Sequence, residues 1–273
     1  QNKNITNLSW FKLKTVSRYF FEIKNIEDLD NIQEILKFSK KEKLQILFLW
    51  SGTNILFAFD IFYWIIIKNS LKWFKIKWNI LELWSWELIS VVSNKLLKDF
   101  KNDCFISWIW LPWTVGGAVV WNAGSFGLEV KDVFVGAKIL EVDKNQILEV
   151  DKDFMKFEYR NSILKNNNKY FLISAKFNIK SRQNDFSLDQ IIQKRKDQPS
   201  GFTCGSFFKN PIWNFAWKLI EEVSLKWKKI WWAFVSDKHS NFIMSDWKAT
   251  YKDILNLVKL IKKEVFKKFW IKL

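Results

Sequence analysis

Trp110-Leu111-Pro112-Trp113-Thr114-Val115-Gly116-Gly117-Ala118, followed by Asn122-Ala123-Gly124, is the stretch on which the reading of this chain turns. Trp113 follows Pro112 in a turn, where the backbone asks for φ > 0 or a close approach that glycine supplies cheaply and an indole does not. With Trp110 and Trp113 read as glycine, the stretch becomes Gly-Leu-Pro-Gly-Thr-Val-Gly-Gly-Ala.

The same misfit recurs along the sequence. There are 18 Trp against 8 Gly, the reverse of ordinary usage, in which glycine makes up about 7% of a chain. Trp50 opens Trp-Ser-Gly-Thr-Asn after an expected strand, and Trp231 and Trp232 stand together before another. Trp64, Trp73, Trp78, Trp84, Trp86, Trp227 and Trp247 fall between strand-like and helix-like segments, where turn punctuation belongs. Indoles serving as core, as a sugar-stacking platform or as a membrane-interface belt should instead follow periodic apolar faces. The pattern matches a gene in which UGA encodes glycine, read with a table in which it encodes tryptophan. Trp10 and Trp108 are the two that read as genuine.

Composition bounds the rest. A chain of 273 residues, 49% hydrophobic, can bury one large core or two to three small ones. The longest apolar stretch, Ile55 to Ile67, is broken by Asp60 and falls short of the roughly 20 residues a spanning helix needs. Cys104 and Cys204 lie far apart and suggest neither a metal site nor a disulfide framework, which fits a cytoplasmic protein. No targeting segment is visible, and the start at Gln1 suits a fragment. The net charge of +16 is spread along the chain rather than gathered into a nucleic-acid footprint, and suits small anionic ligands.

Tyr19 to Ile23 reads as a strand, and a helix is expected from about Ile26 to Phe38, capped by Asn25 with Glu27 and Asp28 in its first turn. Gln45 to Leu49 is the next strand. From about Ile65 to Ile179 short strands alternate with turns around a helix from about Glu87 to Lys98; Ile173, Ala175, Phe177 and Ile179 mark the best strand. The repeated Ile-Leu-Glu-Val-Asp-Lys at Ile139 and Ile147 reads as two hairpin arms. Lys180 to Leu188 reads as a linker. Thr250 caps a final helix whose face is Ile254, Leu257, Val258, Ile261 and Val265. The fold class is α+β.

Four motifs carry the chemistry. Leu49-Trp50-Ser51-Gly52-Thr53-Asn54 becomes Leu-Gly-Ser-Gly-Thr-Asn, whose small residues let the backbone wrap a pyrophosphate. The second is the stretch quoted at the outset. The third is Phe157-Glu158-Tyr159-Arg160-Asn161-Ser162, and the fourth Gly205-Ser206-Phe207-Phe208-Lys209-Asn210-Pro211. In order and spacing they resemble the UDP-N-acetylenolpyruvoylglucosamine reductases, and the likeness runs through His239-Ser240-Asn241-Phe242 to about Phe269.

The resemblance implies an FAD-binding two-subdomain fold of the vanillyl-alcohol-oxidase/PCMH type followed by a smaller α+β substrate-binding domain, with boundaries at 1–67, 68–182 and 188–273. It implies that FAD is held by Trp50, Ser51, Gly52, Thr53 and Asn54, by Trp110, Pro112, Trp113, Thr114, Val115, Gly116, Gly117 and Ala118, and by Asn122, Ala123 and Gly124. Arg160 would lie beside the carboxylate of UDP-N-acetylglucosamine enolpyruvate and Ser206 would be the proton donor, with NADPH as electron source. Tyr159, Lys209 and Asn210 are candidates for substrate contacts, and no metal, nucleic acid, membrane or obligate protein partner is implied. The short interval from Arg160 to Ser206 is similar to the family's compact second type. The family's catalytic glutamate would follow Leu273. His239, the only histidine, reads as a hydrogen-bonded structural residue. The competing readings are another FAD-linked oxidoreductase of this fold, such as a sugar or lactone oxidase, and a non-enzymatic Trp-rich carbohydrate or membrane-surface binder. Neither explains the fourth motif.

Overall fold

In the computed structural model, which describes residues 1–165, 167–180 and 184–273, the chain separates into two compact units. The first holds Gln1, Arg18–Ser51 and Tyr63–Arg195; the second holds Asn2–Ser17, Gly52–Phe62 and Lys196–Leu273. Residues 1–67 therefore do not stand as a unit by themselves, because segments at 2–17 and 52–62 contribute to the second. Part of the expected linker, residues 181–183, lies outside the described residues.

Along the chain run β1 (Lys3–Asn4), β2 (Val16–Ile23), α1 (Asn31–Glu42), β3 (Ile46–Leu49), β4 (Ile61–Asn69), β5 (Phe74–Lys77), β6 (Ile80–Trp84), α2 (Ile89–Phe100) and α3 (Val115–Val120). There follow β7 (Gly124–Ser125), β8 (Leu128–Glu129), α4 (Val130–Val133), β9 (Phe134–Glu141), β10 (Gln146–Asp151), β11 (Tyr170–Asn178) and α5 (Leu188–Lys196). The last third adds α6 (Ala216–Glu222), β12 (Lys229–Ile230), β13 (Ala233–Val235), β14 (Ile243–Ser245) and α7 (Tyr251–Phe269).

In the first unit β4 lies between β2 and β3, and β3 runs parallel to it from Ile46 beside Ile65 to Leu49 beside Lys68. The helix expected at Ile26 to Phe38 divides. Asn25 and Asp28 form a reciprocal cap on a 3₁₀ turn, Ile26–Asp30, and α1 starts only at Asn31. A five-stranded antiparallel sheet has the order β10-β9-β11-β6-β5, with the repeated segment forming the β9–β10 hairpin as expected, Ile139 opposite Leu148. The central strand β11 is buried on both faces, Ile173, Ser174, Ala175 and Phe177 being almost fully covered. Asn69, at the end of β4 and fully buried, donates to Leu172 O (3.0 Å) and Ser85 Oγ while its Oδ1 accepts from Leu71 N (2.9 Å). Those bonds satisfy an amide that unpaired burial would penalise by about 1–3 kcal/mol.

The second unit has the sheet β12-β13-β14 with α6 and α7 packed together. The reciprocal cap at α7 forms between Thr250 and Asp253. Ile254, Leu257, Val258, Ile261 and Val265 are buried as the sequence indicates. Each such aliphatic side chain contributes about 1.5–3 kcal/mol by leaving water.

Six of the eighteen tryptophans, Trp78, Trp110, Trp213, Trp227, Trp231 and Trp270, have positive φ between 50° and 67°, against ten of all other described non-glycine residues. Four of the eight glycines share that region. Trp78 and Trp231 are each the first residue of a two-residue turn, between β5 and β6 and between β12 and β13, a place where hairpins take glycine. Trp270 terminates α7 in the left-handed conformation, donating its N–H to Phe266 O (2.9 Å), the seat of a C-terminal glycine. Four tryptophans differ from expectation: Trp64 lies inside β4 and Trp84 ends β6 rather than falling between elements, and neither Trp113 nor Trp232 has positive φ. Trp113 packs against the core and its carbonyl accepts from Ile89 N. Trp108 is unlike the rest. It is fully buried beside Phe105, and its Nε1 donates to Leu128 O (3.1 Å).

Candidate active site

The loop after β3 begins with Trp50, buried and stacked at 6.3 Å on Phe171 of β11. Its indole lies so close over Gly116 that a Cβ there would overlap its Nε1 and Cδ1. Its Nε1 is buried with no hydrogen-bond partner. Thr114 caps α3, its Oγ1 accepting from Gly117 N at 3.3 Å. The neighbouring donors are also taken: Val115 N by Glu87 O, Gly116 N by Ser85 O and Ala118 N by Thr114 O. Gly116 and Gly117 therefore offer a bare backbone face rather than open N–H groups. Open donors occur instead in the loop, where the N–H groups of Ser51, Gly52, Thr53 and Asn54 have no partner among the described residues. Gly52 adopts φ +70°. With an indole on it, the face of Gly116 has no room for FAD. With glycine at position 50 that ring would be gone, and the bare backbone of Gly116 and Gly117 would then fit a cofactor that must lie against backbone. Trp110, at φ +62°, and Pro112 lead into this turn.

A second group forms around Arg160. Glu158 and Asn161 exchange backbone hydrogen bonds at 3.1 and 3.2 Å across a two-residue turn, leaving Tyr159 and Arg160 at its tip. Arg160 sits at φ +51°, a conformation that costs a residue with a side chain about 1–3 kcal/mol. Its Nη1 donates to Glu129 Oε1 (3.0 Å) and Asn122 O (3.4 Å), and its Nη2 to Gly124 O (3.0 Å). The guanidinium has five N–H groups, so two remain open among the described residues. That is the number a carboxylate takes in a forked pair. The Tyr159 ring lies 4.9 Å from the guanidinium and is itself half-exposed. Asn122, fully buried at φ +41°, donates to Glu129 Oε2 (3.1 Å) and Glu158 O (2.9 Å) and accepts from Lys131 N (2.9 Å). Ala123 N bonds Ala118 O, tying this corner to α3.

In the second unit Ser206 follows Gly205 (φ +81°) on an extended segment bridged to Phe242. Asn241, 3% exposed, clamps that segment: its Nδ2 donates to Phe208 O and its Oδ1 accepts from Phe208 N, both at 2.9 Å, while Phe207 N donates to its carbonyl. Ser206 is exposed and its hydroxyl has no protein partner among the described residues. Two residues before it, burial pushes the Cys204 thiol up to about 12, which favours the thiol over the nucleophilic thiolate. Lys209 and Asn210 are exposed on the same segment, and Asn210 Oδ1 accepts from Ala216 N at the start of α6. His239 Nδ1 accepts from Asn241 N at 3.2 Å and its ring meets Phe242. Burial holds its pKa below the usual histidine value, which fits a structural residue.

The family model described as UDP-N-acetylenolpyruvoylglucosamine reductase, C-terminal domain, matches residues 197–273. The reductase of that name from Caldicellulosiruptor saccharolyticus is 33% identical across 99% of this chain and 88% of its own length. The chain belongs to the UDP-N-acetylenolpyruvoylglucosamine reductase family. The relative from Clostridioides difficile is also 33% identical, over 89% of this chain and 82% of its own. The crystal structure of the reductase from Thermus caldophilus aligns with a TM-score of 0.78 at 20% identity, covering 97% of this chain and 94% of that one, so the fold is shared. As a member of this reductase family the chain is an oxidoreductase of peptidoglycan precursor synthesis. No described helix is long and apolar enough to cross a membrane, and no group of potential metal ligands occurs among the described residues.

The structure also assigns work to two residues outside the four motifs, Glu129 and Asn241. Glu129 and Asp132 form a reciprocal cap on α4. Nothing local linked Glu129 to an arginine 31 positions away.

Proposed function

We propose that this protein, with glycine at its tryptophan positions other than Trp10 and Trp108, reduces UDP-N-acetylglucosamine enolpyruvate to UDP-N-acetylmuramate with NADPH in the cytoplasm. The observation that carries the reading is Arg160, a strained, anchored guanidinium with two N–H groups still open. Trp50 on Gly116, and the six indoles at positive φ, support the glycine reading.

FAD, held by the residues named above on a cleared Gly116 face, supplies hydride transfer when bound. Reduction of the vinyl group places negative charge on the α-carbon and its carboxylate. Arg160, permanently charged and shaped as a fork, is suited to hold that carboxylate, and its effect grows as water is excluded. Tyr159 beside it shields one face of the guanidinium. The Ser206 hydroxyl donates its proton to the α-carbon; its exposure and lack of a protein partner support that role. Lys209 and Asn210 contact the nucleotide half of the substrate.

Expression of the glycine form tests this. It should purify yellow and oxidise NADPH only when the enolpyruvyl substrate is present. Ser206→Ala should keep flavin reduction by NADPH and cut the second half-reaction by at least the roughly 10²-fold typical of a positioned acid. Equal loss in both halves removes Ser206 from the donor role, and a colourless protein removes the flavoenzyme.

A further inference from the structure

Glu129 belongs to none of the four motifs, yet its carboxylate is the one anion bonded to Arg160 among the described residues. We propose that Glu129 is a positioning residue that decides which edge of the Arg160 guanidinium faces the substrate's carboxylate. This deepens the function proposed above and rests on it.

Three features point to a placed group rather than a chance surface pair. First, Glu129 is fixed at its backbone as the cap of α4, its N–H donating to Asp132 Oδ2 at 2.8 Å. Its side chain and that of Arg160 are only 23% and 29% exposed. Second, both carboxylate oxygens are engaged: Oε1 by Arg160 Nη1, and Oε2 by Asn122 Nδ2 at 3.1 Å and Lys131 Nζ at 3.3 Å. Asn122 also bonds Glu158 O, so one buried amide holds the turn that carries Arg160 and the anion that aims it. Third, Gly124 makes room for the arrangement. A Cβ at Gly124 would lie 2.7 Å from Glu129 Cγ and 3.2 Å from Arg160 Nη1, while its carbonyl takes Nη2.

The charges are arranged to leave Arg160 useful. A carboxylate paired with one arginine would cancel it. Here Lys131 shares the carboxylate, so the three groups carry one net positive charge toward an incoming anion. Glu129 and the two backbone carbonyls use three N–H groups, and the same two remain for every turnover. Without the carboxylate, the long side chain on an exposed turn would sample other rotamers, and a misplacement of about 1 Å costs roughly 10²-fold in rate.

The test uses the flavoenzyme in its glycine form with Glu129→Gln, Glu129→Asp, Arg160→Ala and the Glu129→Gln/Arg160→Ala pair, following each half-reaction and the Arg160 guanidinium NMR signals. Glu129→Gln should leave NADPH reduction of the flavin unchanged and slow the substrate half-reaction by roughly 10²-fold. It should also broaden the Arg160 signals, with Glu129→Asp restoring most of both. Adding Glu129→Gln to Arg160→Ala should cost nothing further, because the two act as one unit. Full activity in Glu129→Gln, equal loss in both half-reactions, or additive losses in the pair would overturn the proposal. A parent protein inert toward the substrate, with Arg160 still ordered by Glu129, would overturn the reductase reading instead.

Discussion

Replacing each of Trp78, Trp110, Trp213, Trp227, Trp231 and Trp270 in turn by glycine and by alanine should favour glycine every time. At these positions φ lies between 50° and 67°, where a Cβ crowds the following carbonyl. The left-handed region costs an L-residue with a side chain about 1–2 kcal/mol. Glycine gives back about 0.4–1 kcal/mol through its freer unfolded chain. The net advantage of glycine is then about 1 kcal/mol per site. All six side chains are between 49% and 99% exposed, so neither replacement forfeits much buried surface and the comparison isolates the backbone. Trp217, inside α6, is the internal control, since there alanine should be better than glycine by about 0.5–1 kcal/mol. The assay is urea unfolding in a background whose other tryptophans, Trp10 and Trp108 excepted, are glycine. A shift of midpoint at constant slope reports stability alone. Alanine equal to or better than glycine at the six sites would refute the claim that these are glycine seats.

Trp108 should behave in the opposite way: truncation to alanine removes a fully buried indole and its bond to Leu128 O, and should cost about 3–5 kcal/mol by chemical denaturation. Glu22 should give an acid-sensitive increment. Burial pushes its pKa up, but hydrogen bonds from Lys68 (2.6 Å) and Ser70, with the pull of Lys68 and Lys24, outweigh burial and hold it below 4.5. A depressed folded pKa stabilises above the unfolded value and is lost as pH falls through the folded one. The stability gap between the parent and Glu22→Gln should therefore narrow from about pH 6 to about pH 3, and a gap that does not change with pH would contradict it.

Much of the architecture was legible because the signals were local. The α7 face and its cap follow from spacing alone, and the β9–β10 hairpin follows from a repeated segment. The division at Ile26–Asp30 was not, since the same capping residues start a 3₁₀ turn as readily as an α-helix. Nor was the assignment of 2–17 and 52–62 to the second unit, because a contact at long sequence separation leaves no periodic trace. At the site, motif residues such as Arg160 and Ser206 could be picked out singly. What surrounds them, Glu129 and Asn122 around Arg160 and Asn241 behind Ser206, depends on distances across 31 to 38 residues and appears only in three dimensions. The glycine-like positions were half visible: Trp78 and Trp231 stand in tight turns, whereas Trp50 misfits through a neighbour 66 positions on, Gly116.

The most direct measurement is the codon at each tryptophan in the native gene. The account requires TGA at positions 50, 78, 110, 213, 227, 231 and 270, with TGG at Trp108. TGG at those seven positions would mean that indoles truly occupy the turns and the face of Gly116, and would contradict it.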